Sequence, residues 1–202
     1  MKLPVLGTKI PRRESAATRS FGRALLALFG WRIEGELPDL PRFVVAVAPH
    51  TSNWDFVIGG AAMFALDLRI AFFSKHTLFR GPFAALLRWM GGIPVDRSAP
   101  HGVVLDSVRA FEEAGSRVLA ITPQGTRTGS GRFHTGFLRI ARGARVPVLL
   151  AALDYEARCV RFGPVIEPGA DIEDECRRIE AYFSPVRGKR RRAVVARGDQ
   201  SA

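Results

Sequence analysis

The segment Pro49-His50-Thr51-Ser52-Asn53-Trp54-Asp55 sets a carboxylate five residues after an imidazole. A histidine titrates near neutrality, and a carboxylate that orients the ring and stabilises its charged form equips it as a general base. Five residues span about 140° of a continuous helix, so the two groups meet only if His50 lies in a turn and Asp55 in the first helical turn. A purely structural reading fits the same residues. Ser52-x-x-Asp55 has the spacing of a capping box, and an acidic residue is favoured at a helix N-terminus. Two further segments carry anion-binding chemistry. In Ile121-Thr122-Pro123-Gln124-Gly125-Thr126-Arg127, Gly125 permits close backbone approach, while Thr126 and Arg127 supply donors for a phosphate oxygen. In Gly91-Gly92-Ile93-Pro94-Val95-Asp96-Arg97, a second arginine, Arg97, follows a Gly-rich turn. Taken singly, each also fits an ordinary surface turn.

The elements that must position these groups are legible from hydropathy. Phe43 to Ala48 is a short, continuous apolar run closed by Pro49, the pattern of a buried strand, and Asn53 to Leu66 predicts the helix that follows. Strands are also predicted at Ile70–Ser74, Arg117–Thr122, Val146–Leu153 and Cys159–Ile166. Helices are predicted at Phe83–Met90, Val103–Ala114, Gly136–Ala141 and Ile172–Phe183. Such alternation implies one α/β layered domain with a largely parallel sheet flanked by helices. The catalytic candidates then fall where strands give way to helices, the end of an open α/β sheet at which functional groups gather.

The chain has 202 residues, 47% hydrophobic, enough for one domain with a real core. Its net charge of +11 is concentrated at the ends. Residues 1–32 carry seven Lys/Arg against Glu14, and residues 187–202 carry six against Asp199. Residues 33–186 are neutral as a whole, yet the stretch 69–145 is strongly basic. Basic ends suit a polyanionic surface, and a basic middle suits an anionic ligand. From Ser20 to Trp31 an amphipathic helix is predicted, with Phe21, Leu25, Leu28 and Phe29 on one face and Arg19 and Arg23 nearby. That pattern fits an anchor lying in a membrane interface, and equally a helix packed on the core. The resulting division is a basic N-terminal segment (1–32), a core domain (33–186) and a basic, disordered tail (187–202). No apolar run reaches the length of a spanning helix, and the start lacks the apolar core of a signal peptide. Cys159 and Cys176 lie outside any CxxC spacing and read as small apolar residues of a reduced, cytoplasmic protein.

Taken together and in order, the motifs resemble those of the 1-acylglycerol-3-phosphate (lysophosphatidate) acyltransferase family of glycerolipid enzymes. His50 to Asp55 matches its H-x4-D motif, and Gly92 to Arg97 resembles its second. Pro123-Gln124-Gly125-Thr126-Arg127 resembles its third, and Val146-Pro147-Val148 its fourth. The resemblance spans residues 43–153, and Lys75 lies where such proteins often carry a basic residue. It implies an enzyme that moves a fatty acyl group from acyl-CoA or acyl-carrier protein to a lysophospholipid hydroxyl, on the cytoplasmic face of a membrane. His50 and Asp55 would be catalytic. Lys75, Arg97, Gln124, Gly125, Thr126 and Arg127 would bind substrate, the two arginines clamping the acceptor phosphate. No metal or redox cofactor is implied, since no His/Cys/Asp cluster has ligand spacing.

One position departs from the family, whose third motif usually carries Glu where this chain has Gln124. Glutamine is nearly isosteric but uncharged, and it donates as well as accepts hydrogen bonds. Because the family associates the glutamate with the acceptor, another lyso-lipid, such as a lyso-aminolipid, stands as an alternative. The run Arg187-Gly188-Lys189-Arg190-Arg191-Arg192 suggests a different class, a nucleic-acid-binding protein. Against that, the tail lacks interleaved aromatics and the core lacks a nucleic-acid motif, so no nucleic-acid partner is expected.

Overall fold

The seven residues Arg42–Ala48 form a strand, β2, that is buried along nearly its whole length in the computed structural model of the chain. The structure describes residues 3–95, 100–125 and 132–190. A strand covered on both faces must be apolar at successive positions, which is why Phe43 to Ala48 shows no alternation. Its side chains nevertheless divide by pleat. Phe43 and Val45 enter one core with Leu26, Ile58, Phe64 and Leu149, whereas Val44, Ala46 and Ala48 enter a second with Phe111, Phe137, Leu150 and Phe183. Helices α1 (Ala16–Leu28) and α2 (Trp54–Ala65) cover the first face. Helices α4 (Pro100–Glu113), α5 (Gly136–Gly143) and α6 (Ile172–Phe183) cover the other.

The other strands are β1 (Arg32–Glu34), β3 (Ile70–Lys75), β4 (Gly92–Val95), β5 (Arg117–Ile121), β6 (Val148–Asp154) and β7 (Cys159–Ile166), with α3 (Ala84–Met90) between β3 and β4. They form one sheet in the order β1-β7-β6-β2-β5-β3-β4, parallel throughout except between β6 and β7. The expected α/β domain with a mostly parallel sheet is therefore the observed fold. Two strands escaped the sequence reading, and both are edges. β1 has one apolar residue in three, and β4 contains Gly92 and Pro94, which count against a strand unless it lies at an edge.

Helix α1 begins four residues before the expected Ser20, because Ser15 caps it by accepting a hydrogen bond from Thr18 N. Leu26 and Gly22 face the core, while Phe21 and Leu28 are exposed and Leu25 and Phe29 are half-buried. One helix thus packs on α2 and still presents apolar side chains to solvent. The approach is close: a Cβ on Gly22 would press into the backbone of Ala61 and Ala65. The chain before α1 is tied to the end of α2 by Arg13 N–Asp67 O and Arg69 N–Pro11 O bonds, each 2.9 Å. No helix among the described residues is long and apolar enough to cross a membrane.

Candidate active site

Strand register decides which loops meet. β2 pairs in parallel with β5 (Ala46 opposite Ile121) and with β6 (Ala48 opposite Ala152), so the chain leaves all three strands on one edge of the sheet. His50 follows β2, Gln124 and Gly125 follow β5, and Tyr155 follows β6. Lys75 ends β3, beyond β5, with its side chain exposed and Val95 of β4 opposite it.

The turn after β2 makes the geometry that a continuous helix could not. His50 precedes α2, Asp55 lies in its first turn, and the imidazole Nδ1 stands 3.2 Å from the Asp55 Oδ2. That oxygen also accepts the backbone N–H groups of Thr51 (2.6 Å) and Ser52 (2.7 Å). The Ser52 bond is one half of the anticipated capping box. In place of the other half, Ser52 Oγ accepts from Trp54 N at 3.2 Å. Capping and orientation are thus done by one carboxylate. The Asp55 side chain is 2% exposed and that of His50 is 19% exposed, so the buried acid supports a ring that solutes can reach. With Nδ1–H directed at Asp55, the lone pair of the neutral ring sits on Nε2, the nitrogen available as a base.

Asp55 is held below the usual carboxylate range. Burial is the largest single influence and pushes upward, but hydrogen bonds from His50, Ser52, Tyr155 and Thr51 together outweigh it. The phenol of Tyr155 donates to Asp55 Oδ1 at 2.7 Å. Burial first, then the Asp55 bond and charge, push that phenol far above its ordinary value, so it remains a donor at every working pH.

Gln124 is buried, and its Oε1 accepts the backbone N–H of His50 at 2.5 Å. Next to it Gly125 adopts φ +67°, a conformation that side-chain-bearing residues rarely take. Of the residues expected to bind substrate, Arg97, Thr126 and Arg127 lie outside the described residues.

Residues 34–153, more than half of the chain, match the family model named Acyltransferase. The chain belongs to the acyltransferase family. No curated protein sequence matches it. Among solved structures it is similar to the 1-acyl-sn-glycerophosphate acyltransferase PlsC from Thermotoga maritima, with 16% identity and a TM-score of 0.60 over 82% of this chain and 75% of that one. At that identity the likeness is one of fold.

In this acyltransferase the C-terminal segment, expected to be part of a disordered tail from Arg187, runs back over the site as far as Arg190. Tyr155 N donates to Arg187 O at 2.8 Å, Gly188 lies against Thr51 and Pro49, and Lys189 Nζ sits 4.2 Å from the centre of the Trp54 ring. The tail beyond, residues 191–202, lies outside the described residues. Among those described, no group of three or more His, Cys, Asp or Glu could hold a metal ion. Both cysteines are buried and free.

Proposed function

We propose that the protein transfers a fatty acyl group from acyl-CoA or acyl-carrier protein to the hydroxyl of a lysophospholipid, with 1-acylglycerol-3-phosphate as the leading acceptor. The observation that carries this reading is the 3.2 Å His50–Asp55 pair at the carboxyl end of the central strand. His50 Nε2 takes the proton of the acceptor hydroxyl as its oxygen attacks the thioester carbonyl. Asp55 stabilises the imidazolium that forms, the part an aspartate plays in a serine triad. The tetrahedral intermediate collapses by breaking the C–S bond, and the imidazolium returns its proton to the departing thiolate. Ester and free thiol leave, and no acyl-enzyme is needed, because the substrate hydroxyl stands where a serine would.

Arg97 and Arg127 clamp the acceptor phosphate, aided by Lys75, Thr126 and the close approach that Gly125 permits. The chemistry calls for no metal or redox cofactor. A cleft of about 300 Å³ between α4 and β3–β5, lined by Phe73, Ile93, Val103, Ala110 and Leu119 and also by Asp106, Ser107 and Arg117, is where we place the acyl chain. The enzyme works as a peripheral protein on the cytoplasmic face of the membrane. There the exposed Phe21 and Leu28 enter the interface and the basic termini meet anionic headgroups. The likeness in fold to PlsC, a 1-acyl-sn-glycerophosphate acyltransferase, supports the acceptor class. Gln124 favours one specific second reading, a lyso-lipid with a different headgroup.

The purified protein, given acyl-CoA or acyl-carrier protein and a panel of lyso-lipids, should form an ester and release one thiol per ester. Thiol release without ester on every acceptor, or no reaction with either donor, would refute the proposal.

A further inference from the structure

Asp55 has two oxygens, and the catalytic pairing uses one of them. Oδ2 takes His50 Nδ1 and the Thr51 and Ser52 amides, whereas Oδ1 accepts the Tyr155 hydroxyl, from a residue a hundred positions away in sequence. Tyr155 is itself fixed on three sides. Its ring meets Trp31 edge-on at 4.8 Å between centroids, its backbone N–H donates to Arg187 O, and β6 delivers it beside β2 through the Ala48–Ala152 pairing. We infer that Tyr155 is a positioning residue of the acyl-transfer site, locking the second oxygen of Asp55 so that its partner oxygen stays aimed at His50 Nδ1.

A carboxylate in this role can fail in two ways. With Oδ2 held by three donors and Oδ1 by none, it gains freedom to turn about its Cβ–Cγ bond, and a buried carboxylate with fewer donors binds a proton more readily. A donor on each oxygen removes both failures, and partners in such a chain strengthen one another. The other ionisable groups nearby are occupied elsewhere. Arg187 faces Glu156 at 3.9 Å, Lys189 lies over Trp54, and Asp154 faces Arg161 at 3.9 Å while accepting the Glu156 and Ala157 amides. Among the described residues, His50 and Tyr155 are the ionisable side chains bonded to Asp55. Without the phenol, the Asp55 carboxyl must titrate at higher pH. The midpoint of that carboxyl is therefore the direct readout of the lost donor.

The inference rests on the acyl-transfer reading for its kinetic arm alone. Tyr155→Phe keeps the ring on Trp31 and removes the donor. Its kcat should fall about ten- to a hundred-fold, the equivalent of one hydrogen bond to a charged group, with both KM values nearly unchanged. In an Asp55→Asn background the same change should cost less than about two-fold, because Tyr155 acts through Asp55. Separately, ¹³C NMR of the Asp55 carboxyl should give a higher midpoint in Tyr155→Phe than in wild type, whether or not any acceptor turns over. Equal midpoints would overturn the inference, as would losses that multiply in the double variant. A wild type that transfers nothing would sink the acyl-transfer reading and leave the NMR comparison to decide the role of Tyr155.

Discussion

Asp55 caps α2 with the same oxygen that faces His50, so its replacement disturbs fold and chemistry together. Its depressed pKa makes it a source of stability above the ordinary carboxylate range, a contribution lost as pH falls through the lower, folded-state value. Asp55→Asn should therefore be destabilised near neutrality by about 0.5–2 kcal/mol. Urea melts of the two proteins should converge as acid protonates the wild-type carboxylate. A gap independent of pH would mean that the charge contributes nothing. Gln124 offers a sharper substitution. Its Oε1 accepts from His50 N, and a glutamate oxygen can do the same while placing a charge at a buried position, so Gln124→Glu should change kcat/KM across lyso-lipids at some cost in stability. Higher activity on the phosphorylated acceptor would point to lysophosphatidate. Lower activity on the best acceptor would mark the amide as the group matched to it, and a silent change would make Gln124 a bystander to substrate. His50 and Asp55 were legible in sequence because one turn holds both. Tyr155 was not, since its role arises only when parallel pairing sets the ends of β2 and β6 side by side, and Asp-Tyr after a strand carries no spacing signal.

At the scale of elements, buried periodicity was easy to read and edges were not. β2 and β6 and helices α2 and α6 announced themselves because each buries a long apolar run or stripe. The helix α1 stripe pointed to the right helix but left out its buried residues: Leu26 is its anchor, and Gly22 permits the contact with α2. Gly22→Val should therefore lower stability by about 1–3 kcal/mol through overpacking, in spite of valine's better helix propensity, and guanidinium melts would report it. A variant as stable as wild type would show that α1 and α2 can separate at little cost. Because α2 carries Asp55, activity should fall with the packing.

For the molecule as a whole, the proposed lipid interface draws on charge and on exposed apolar surface. Phe83, Leu86 and Trp89 on and beside α3 join Phe21 and Leu28 among the exposed apolar side chains, and Arg13 lies over the Trp89 ring at 4.7 Å. Vesicle binding should need anionic lipid and weaken with salt, each basic residue near the surface contributing about 1 kcal/mol. Phe21→Ser/Leu28→Ser should release the protein with its fold intact. Undiminished binding to neutral vesicles in high salt, or tighter binding to RNA than to vesicles, would contradict this. If His50, aimed by Asp55, activates the acceptor hydroxyl as proposed, acyl transfer by wild type and His50→Ala compared at matched folding will show it. The substitution lies in a turn but takes one donor from Asp55, so a modest loss of stability is expected while ester formation falls to background, a drop of about a hundred-fold or more for loss of a general base. Near-wild-type turnover by a folded His50→Ala protein would show that the chemistry is done elsewhere.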